Sequence, residues 1–112
     1  MVTSVDERAN PQLAKVVHRL VEVFQPERIY LFGSQARGDA SADSDYDLLM
    51  VVPHTEKRAV KQMAEARDAV SDIKLPAEII VFTKEQFDRQ VPVVTSLAAT
   101  VVREGRLLYV AN

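Results

Sequence analysis

IYLFGSQARGDASADSDYDLLMVV, residues 29–52, holds two apolar runs joined by a turn and a polar loop, and its reading decides the fold. Ile29-Tyr30-Leu31-Phe32 is a β-branched and aromatic run that stops at Gly33-Ser34, and glycine lets backbone N–H groups approach a ligand closely. Ser34 reads as the N-cap of a short helical turn, Gln35-Ala36-Arg37, that Gly38 closes. The free N–H groups and positive dipole end of that turn then face whatever lies over Gly33-Ser34, and a phosphate chain fits there. After the loop, Asp45 and Asp47 open a second strand running from Tyr46 to Val52. Side chains alternate along a strand, so both carboxylates share one face and Tyr46 points away from them, toward the core.

On the N-terminal side, residues 1–9 are polar and expected to fray. Asn10-Pro11 is an N-cap followed by proline at the first helical position, and Leu13, Val16, Val17, Leu20, Val21 and Phe24 recur on one helical face until Pro26 stops it. On the C-terminal side, Pro53 ends the second strand. A helix is expected from about Glu56 to Ile73, with Val60, Met63, Ala66, Val70 and Ile73 on its apolar side and Pro76 beyond its end. Ala77 to Phe82 reads as a third strand, reached through a helical crossover and so parallel to the second, which brings Glu78 near the edge that carries Asp45 and Asp47. Thr83-Lys84-Glu85-Gln86 has the form of a capping box that starts a short helix through Phe87, and a further helix is expected from Pro92 to Glu104, closed by Gly105. Arg106 to Val110 would be a last short strand. The first two strands should run antiparallel if Gly33 ends one where Asp45 begins the other. The fold class is α/β (α+β type): a mixed sheet backed by helices, in a single domain over residues 1–112.

Composition narrows the function. A chain of 112 residues supports one core and leaves no room for a second domain with its own large substrate. With 14 Lys+Arg against 16 Asp+Glu, a net charge of −2 argues against an extended nucleic-acid footprint, and so against a polymerase on a long template. There is no cysteine for a disulfide, a thiolate zinc site or a thiol nucleophile. No charged leader with an apolar segment opens the chain, and no apolar run approaches the ~18 residues of a membrane span, so a soluble cytoplasmic protein is expected.

Three carboxylates, Asp45, Asp47 and Glu78, at one sheet edge repel one another unless hard cations that prefer oxygen ligands sit among them, and magnesium is the natural candidate. Arg37 could be aimed at a triphosphate or be an ordinary surface arginine. Asp39 and Asp43 read as loop and capping residues. His18 falls off the apolar face of its helix and His54 lies at the far end of the second strand, which suits neither to act as base or ligand.

Gly33-Ser34, ten intervening residues and Asp45-Tyr46-Asp47 resemble the signature of the DNA polymerase β-type nucleotidyltransferase superfamily. The wording of GSQARG and SDYDLLMVV, and the chain length, resemble its minimal nucleotidyltransferase (MNT) branch. The resemblance implies an enzyme that moves a nucleoside monophosphate, AMP from ATP, to an acceptor hydroxyl and releases pyrophosphate. It implies that Asp45 and Asp47 hold two Mg2+ ions, about 4 Å apart, that serve the attacking and leaving oxygens. Gly33 and Ser34 would hold the β- and γ-phosphates, with Arg37 as a further candidate. Glu78 would be the third carboxylate, on the acceptor side and able to take the acceptor's proton, although aspartate is commoner at that position. Members of the branch are often encoded with a HEPN-type partner, for which they act as antitoxin and which they can adenylylate. Two alternatives stay open: a non-catalytic module that neutralises a partner by contact, and a transferase acting on a small molecule of the antibiotic type. The acceptor, the nucleobase preference and homo-oligomerisation are left undecided.

Overall fold

The computed structural model describes residues 2–3, 10–38 and 44–111. Asn10 caps helix α1 (Pro11–Phe24) by accepting the Leu13 N–H at 3.2 Å, Pro11 takes the first turn, and Gln25 closes the helix in a left-handed conformation just before Pro26. Strand β2 (Arg28–Phe32) leads into the single turn α2 (Ser34–Arg37), and β3 (Tyr46–Val52) follows the loop. Helix α3 (Ala59–Ala69) crosses over to β4 (Ala77–Thr83), followed by α4 (Lys84–Gln90), α5 (Leu97–Glu104) and β5 (Arg106–Val110). A two-residue strand, β1 (Val2–Thr3), pairs antiparallel with β5, where fraying was expected. The sheet order is β1-β5-β2-β3-β4, with β2 antiparallel to β3 and β5, and β3 parallel to β4. Asp39 and Asp43 lie outside the described residues.

The sheet is covered on both faces. Leu48, Met50, Ile79 and Val81 pack with the apolar stripe of α1 and with Ala66 of α3, while Leu49 and Val51 turn the other way onto Phe87 of α4 and Ala98 and Val101 of α5. Burial on both sides explains why β3 reads as an unbroken apolar run after Asp47. Leu48 and Leu49 are each fully buried, contributing about 1.5–3 kcal/mol apiece by the usual transfer scale.

Two helices differ from expectation. In α3, Val60 is 74% exposed and Gln62 is buried, so the inward face runs through Gln62, Met63 and Ala66 and on to Val70 and Ile73 beyond the helix. The last helix starts at Leu97, five residues after Pro92, because Ser96 takes the N-cap and accepts the Ala99 N–H at 3.1 Å. Residues 91–96 instead form consecutive turns, closed by the Val93 N–H on the Gln90 carbonyl (2.8 Å) and the Ser96 N–H on the Val93 carbonyl (2.9 Å). Among the described residues no helix is long and apolar enough to cross a membrane.

Candidate active site

Strand register assembles the carboxylates. Phe32 pairs with Asp47 across the antiparallel β2–β3 ladder, and Asp47 pairs with Glu78 across the parallel β3–β4 ladder. Because cross-strand partners share a face, Asp47 and Glu78 stand on the α4/α5 side of the sheet at the end where β3 and β4 begin, and Asp45, just before β3, lies near enough for its charge to act on Asp47. Asp45 and Glu78 are exposed, and Asp47 is half-buried. Burial pushes the Asp47 carboxyl above its ordinary range, the charges of Glu78 and then Asp45 push the same way, and Arg37 acts in the opposite sense. Asp47 therefore feels three of the other predicted site residues.

The turn at the end of β2 differs in detail from expectation. Gly33, not Ser34, is the N-cap of α2; its carbonyl accepts the N–H groups of Ala36 and Arg37, both at 3.1 Å, and no side chain caps the turn. Ser34 is the first helical residue, so its hydroxyl has no capping task. Gly33 adopts φ 73°, ψ −157°, a region open in practice only to glycine, and a Cβ there would overlap the Asp47 carboxylate. The Gly33 turn and the Asp47 side chain are thus packed closely against each other. Gly38 closes the turn in the left-handed region, its N–H donating to the Ser34 carbonyl at 3.0 Å.

The backbone on either side of Asp45 is tied down. The Gln35 side-chain amide donates to the Ser44 carbonyl (3.0 Å), and the Tyr46 N–H donates to the Pro76 carbonyl (2.8 Å). The Tyr46 ring lies on the α1 side, where its hydroxyl accepts from the Asn10 side-chain amide at 3.1 Å. Neither histidine joins the cluster: His54 sits 3.6 Å from Glu85 at the other end of β3, and His18 lines a groove along α1. Gln35 carried no signal in the sequence reading, since its partner is a main-chain oxygen across a polar loop.

Among the described residues, no three His, Cys, Asp or Glu side chains close around a point that could hold an ion by themselves. The donor set nonetheless suits magnesium, which usually takes one or two carboxylates and completes its shell with water and substrate phosphate. Asp45 and Asp47 are hard oxygen donors beside the Gly33-Ser34 turn, and burial together with the charges of Glu78 and Asp45 raises the proton affinity of Asp47. A groove of about 470 Å³ opens from Asp45 and Glu78 along the edge strand β4, walled by Val60, Met63 and Arg67 of α3. A second groove, of about 530 Å³, runs between α1 and Asp72–Lys74 and holds none of these residues.

Residues 12–108 match the nucleotidyltransferase domain family. Among solved structures, a protein from Sulfolobus solfataricus provisionally described as a nucleotidyltransferase superposes with a TM-score of 0.63 at 26% identity, over 92% of this chain and 81% of that one. No curated protein matches the chain.

Proposed function

The chain belongs to the nucleotidyltransferase domain family, and on that premise we propose that it transfers AMP from ATP to a hydroxyl of a HEPN-type protein, as the antitoxin of that pair. The observation that carries the transfer chemistry is the contact between the two halves of the site: Gly33 lies against the Asp47 carboxylate, and Asp47 feels both Glu78 and Asp45. A triphosphate laid over Gly33-Ser34 therefore has its α-phosphate next to the acids. Asp45 and Asp47 would hold Mg2+, and Glu78 would stand on the acceptor side. Bound there, the metal neutralises charge developing on the α-phosphate.

The acceptor oxygen forms its bond to the α-phosphorus as the bond to the β-phosphate bridging oxygen breaks, and pyrophosphate leaves over the Gly33-Ser34 turn. The acceptor's proton passes to the Glu78 carboxylate. In-line displacement requires attacking and leaving oxygens on opposite sides of phosphorus. The strand order β2-β3-β4 supports such an arrangement, with the phosphate turn on one flank of the Asp pair and Glu78 on the other. The groove beside Glu78 gives the acceptor a way in.

The choice of a HEPN-type partner rests on the resemblance of GSQARG and SDYDLLMVV to the MNT branch. Exposed Val93 and Val94, 52% and 74% accessible in the turns before α5, add apolar surface suited to a protein contact. The test is to incubate the protein with α-labelled ATP and Mg2+ together with a HEPN-type protein or an aminoglycoside, and to follow label and pyrophosphate. Label on the protein acceptor with equimolar pyrophosphate is the expected result. Label on the small molecule alone, or neutralisation of the partner without ATP consumption, would replace this reading by one of its two rivals.

A further inference from the structure

From the hydrogen bond that joins α2 to the residue before Asp45, we infer that Gln35 is a positioning residue, setting the separation between the phosphate turn and Asp45 and so coupling metal binding to nucleotide binding. The inference rests on the proposed reading that Gly33-Ser34 takes phosphates and Asp45 takes metal.

Asp45 precedes β3 and is exposed, so neither the sheet ladder nor core packing fixes it directly. Two main-chain groups bracket it. The Tyr46 N–H is held by the Pro76 carbonyl, which refers Asp45 to the start of β4 and hence to Glu78. The Ser44 carbonyl is held by Gln35 Nε2 at 3.0 Å, which refers Asp45 to α2 and hence to Gly33, Ser34 and Arg37. The Gln35 bond is partly buried and spans nine positions of sequence, and a partly shielded bond constrains geometry more firmly than one open to water. Asp47 needs no such tie, since β3 pairs on both sides there and its carboxylate rests against Gly33.

A ligand that bridges both halves, a triphosphate with its Mg2+, gains most when the halves are already at the bridging distance. Loosening Ser44 leaves each half able to bind its own share but costs the joint complex the work of ordering. The signature is therefore in the coupling between Mg2+ and nucleotide, not in either affinity alone.

The discriminating variants are Gln35→Met, which keeps length and volume but cannot donate, and Gln35→Arg, which restores a donor. Each full-length protein is titrated with a fluorescent non-hydrolysable ATP analogue in chelator and again in saturating Mg2+, and its melting temperature is recorded. In Gln35→Met, affinity in chelator should equal wild type, while the tightening produced by Mg2+ should shrink by about three- to ten-fold, the worth of one hydrogen bond. Gln35→Arg should recover most of that tightening. Unchanged Mg2+ enhancement in Gln35→Met overturns the inference, and so does an equal loss of affinity with and without Mg2+ in step with a lowered melting temperature, which would make Gln35 merely structural. Absence of any Mg2+ enhancement in the wild type would instead overturn the reading of the site on which the inference stands.

Discussion

Gly33→Ala should be among the most damaging single-methyl additions to this protein, and the comparison with Gly38→Ala shows why. Both glycines have positive φ, 73° and 81°, but their surroundings differ: a Cβ at Gly38 meets nothing within 4 Å, whereas one at Gly33 overlaps the Asp47 carboxylate. Gly38→Ala should cost only left-handed strain, about 1–2 kcal/mol. Gly33→Ala should cost about 1–3 kcal/mol for a conformation that is nearly glycine-only. Pushing Asp47 aside adds about 1–3 kcal/mol, for a total of roughly 2–6 kcal/mol. For a domain of this size a kilocalorie moves the melting temperature by roughly 4–5 °C, which predicts a fall of about 8–30 °C for Gly33→Ala against about 4–10 °C for Gly38→Ala.

The part due to contact can be isolated by a cycle with Asp47→Ala, in which the obstructing carboxylate is absent. Denaturant unfolding of wild type, both single variants and the Gly33→Ala/Asp47→Ala double should give a favourable coupling of about 1–3 kcal/mol. A coupling within about 0.5 kcal/mol of zero, or Gly33→Ala no costlier than Gly38→Ala, would refute the claim that Gly33 rests against the Asp47 carboxylate.

Asp47→Asn should melt at or above wild type in chelator at neutral pH, but gain less from Mg2+ with a non-hydrolysable ATP analogue. The sign follows from Asp47 having a native carboxyl raised above 3.8. The folded protein keeps a proton that the unfolded chain has released, so this group's contribution to stability falls as pH rises from 3.8 through the native value, and a thermal-shift series over that range should show wild type losing stability relative to Asp47→Asn. Glu78→Gln should lower turnover strongly while nucleotide binding, measured with the same analogue, stays within a few-fold, because Gly33-Ser34, Asp45 and Asp47 remain. Ser34→Ala should weaken nucleotide binding yet change stability by less than about 0.5 kcal/mol in denaturant titration, since Gly33 rather than Ser34 caps the turn.

The strands were the most legible part of the chain because breakers bracket them. Pro53 after Val52 and Gly105 before Arg106 gave β3 and β5 their boundaries, and the crossover rule gave β4 its direction. Helix faces were less legible. Counting apolar residues at helical spacing admitted Val60, but α3 begins only at Ala59, so Val60 stands in the first turn at the mouth of a groove while Gln62 turns inward. The run Val91-Pro92-Val93-Val94 looked helical by apolarity, and the cap five residues later at Ser96 decided otherwise, because its hydroxyl can satisfy the first-turn N–H groups only if the chain before it leaves the helix. At the site, residue types and spacing were enough to gather Asp45, Asp47, Glu78, Gly33 and Arg37. Contact between Gly33 and Asp47, and the tie from Gln35 to Ser44, depend on where two strand ends meet and have no period in the sequence.

What places Glu78 opposite Asp47 is the core rather than the chemistry of the site. A parallel pair has no hairpin to fix its register, so the β3–β4 alignment has to come from packing: Leu48 beside Ile79 and Met50 beside Val81 all bury on the α1/α3 face, and the Tyr46 N–H reaches the Pro76 carbonyl at the first step of the ladder. A slip of one residue would turn Ile79 and Val81 out of that core and put Glu78 on the face that Leu48 and Met50 bury, where an unpaired carboxylate would lose several kcal/mol of hydration. The same slip would bring Ala77 or Ile79 into line with Asp47. Apolar residues remote from any ligand therefore exclude the arrangement in which the acidic cluster has only two members, so the mutual repulsion of Asp47, Glu78 and Asp45 is sustained by the packing beneath it.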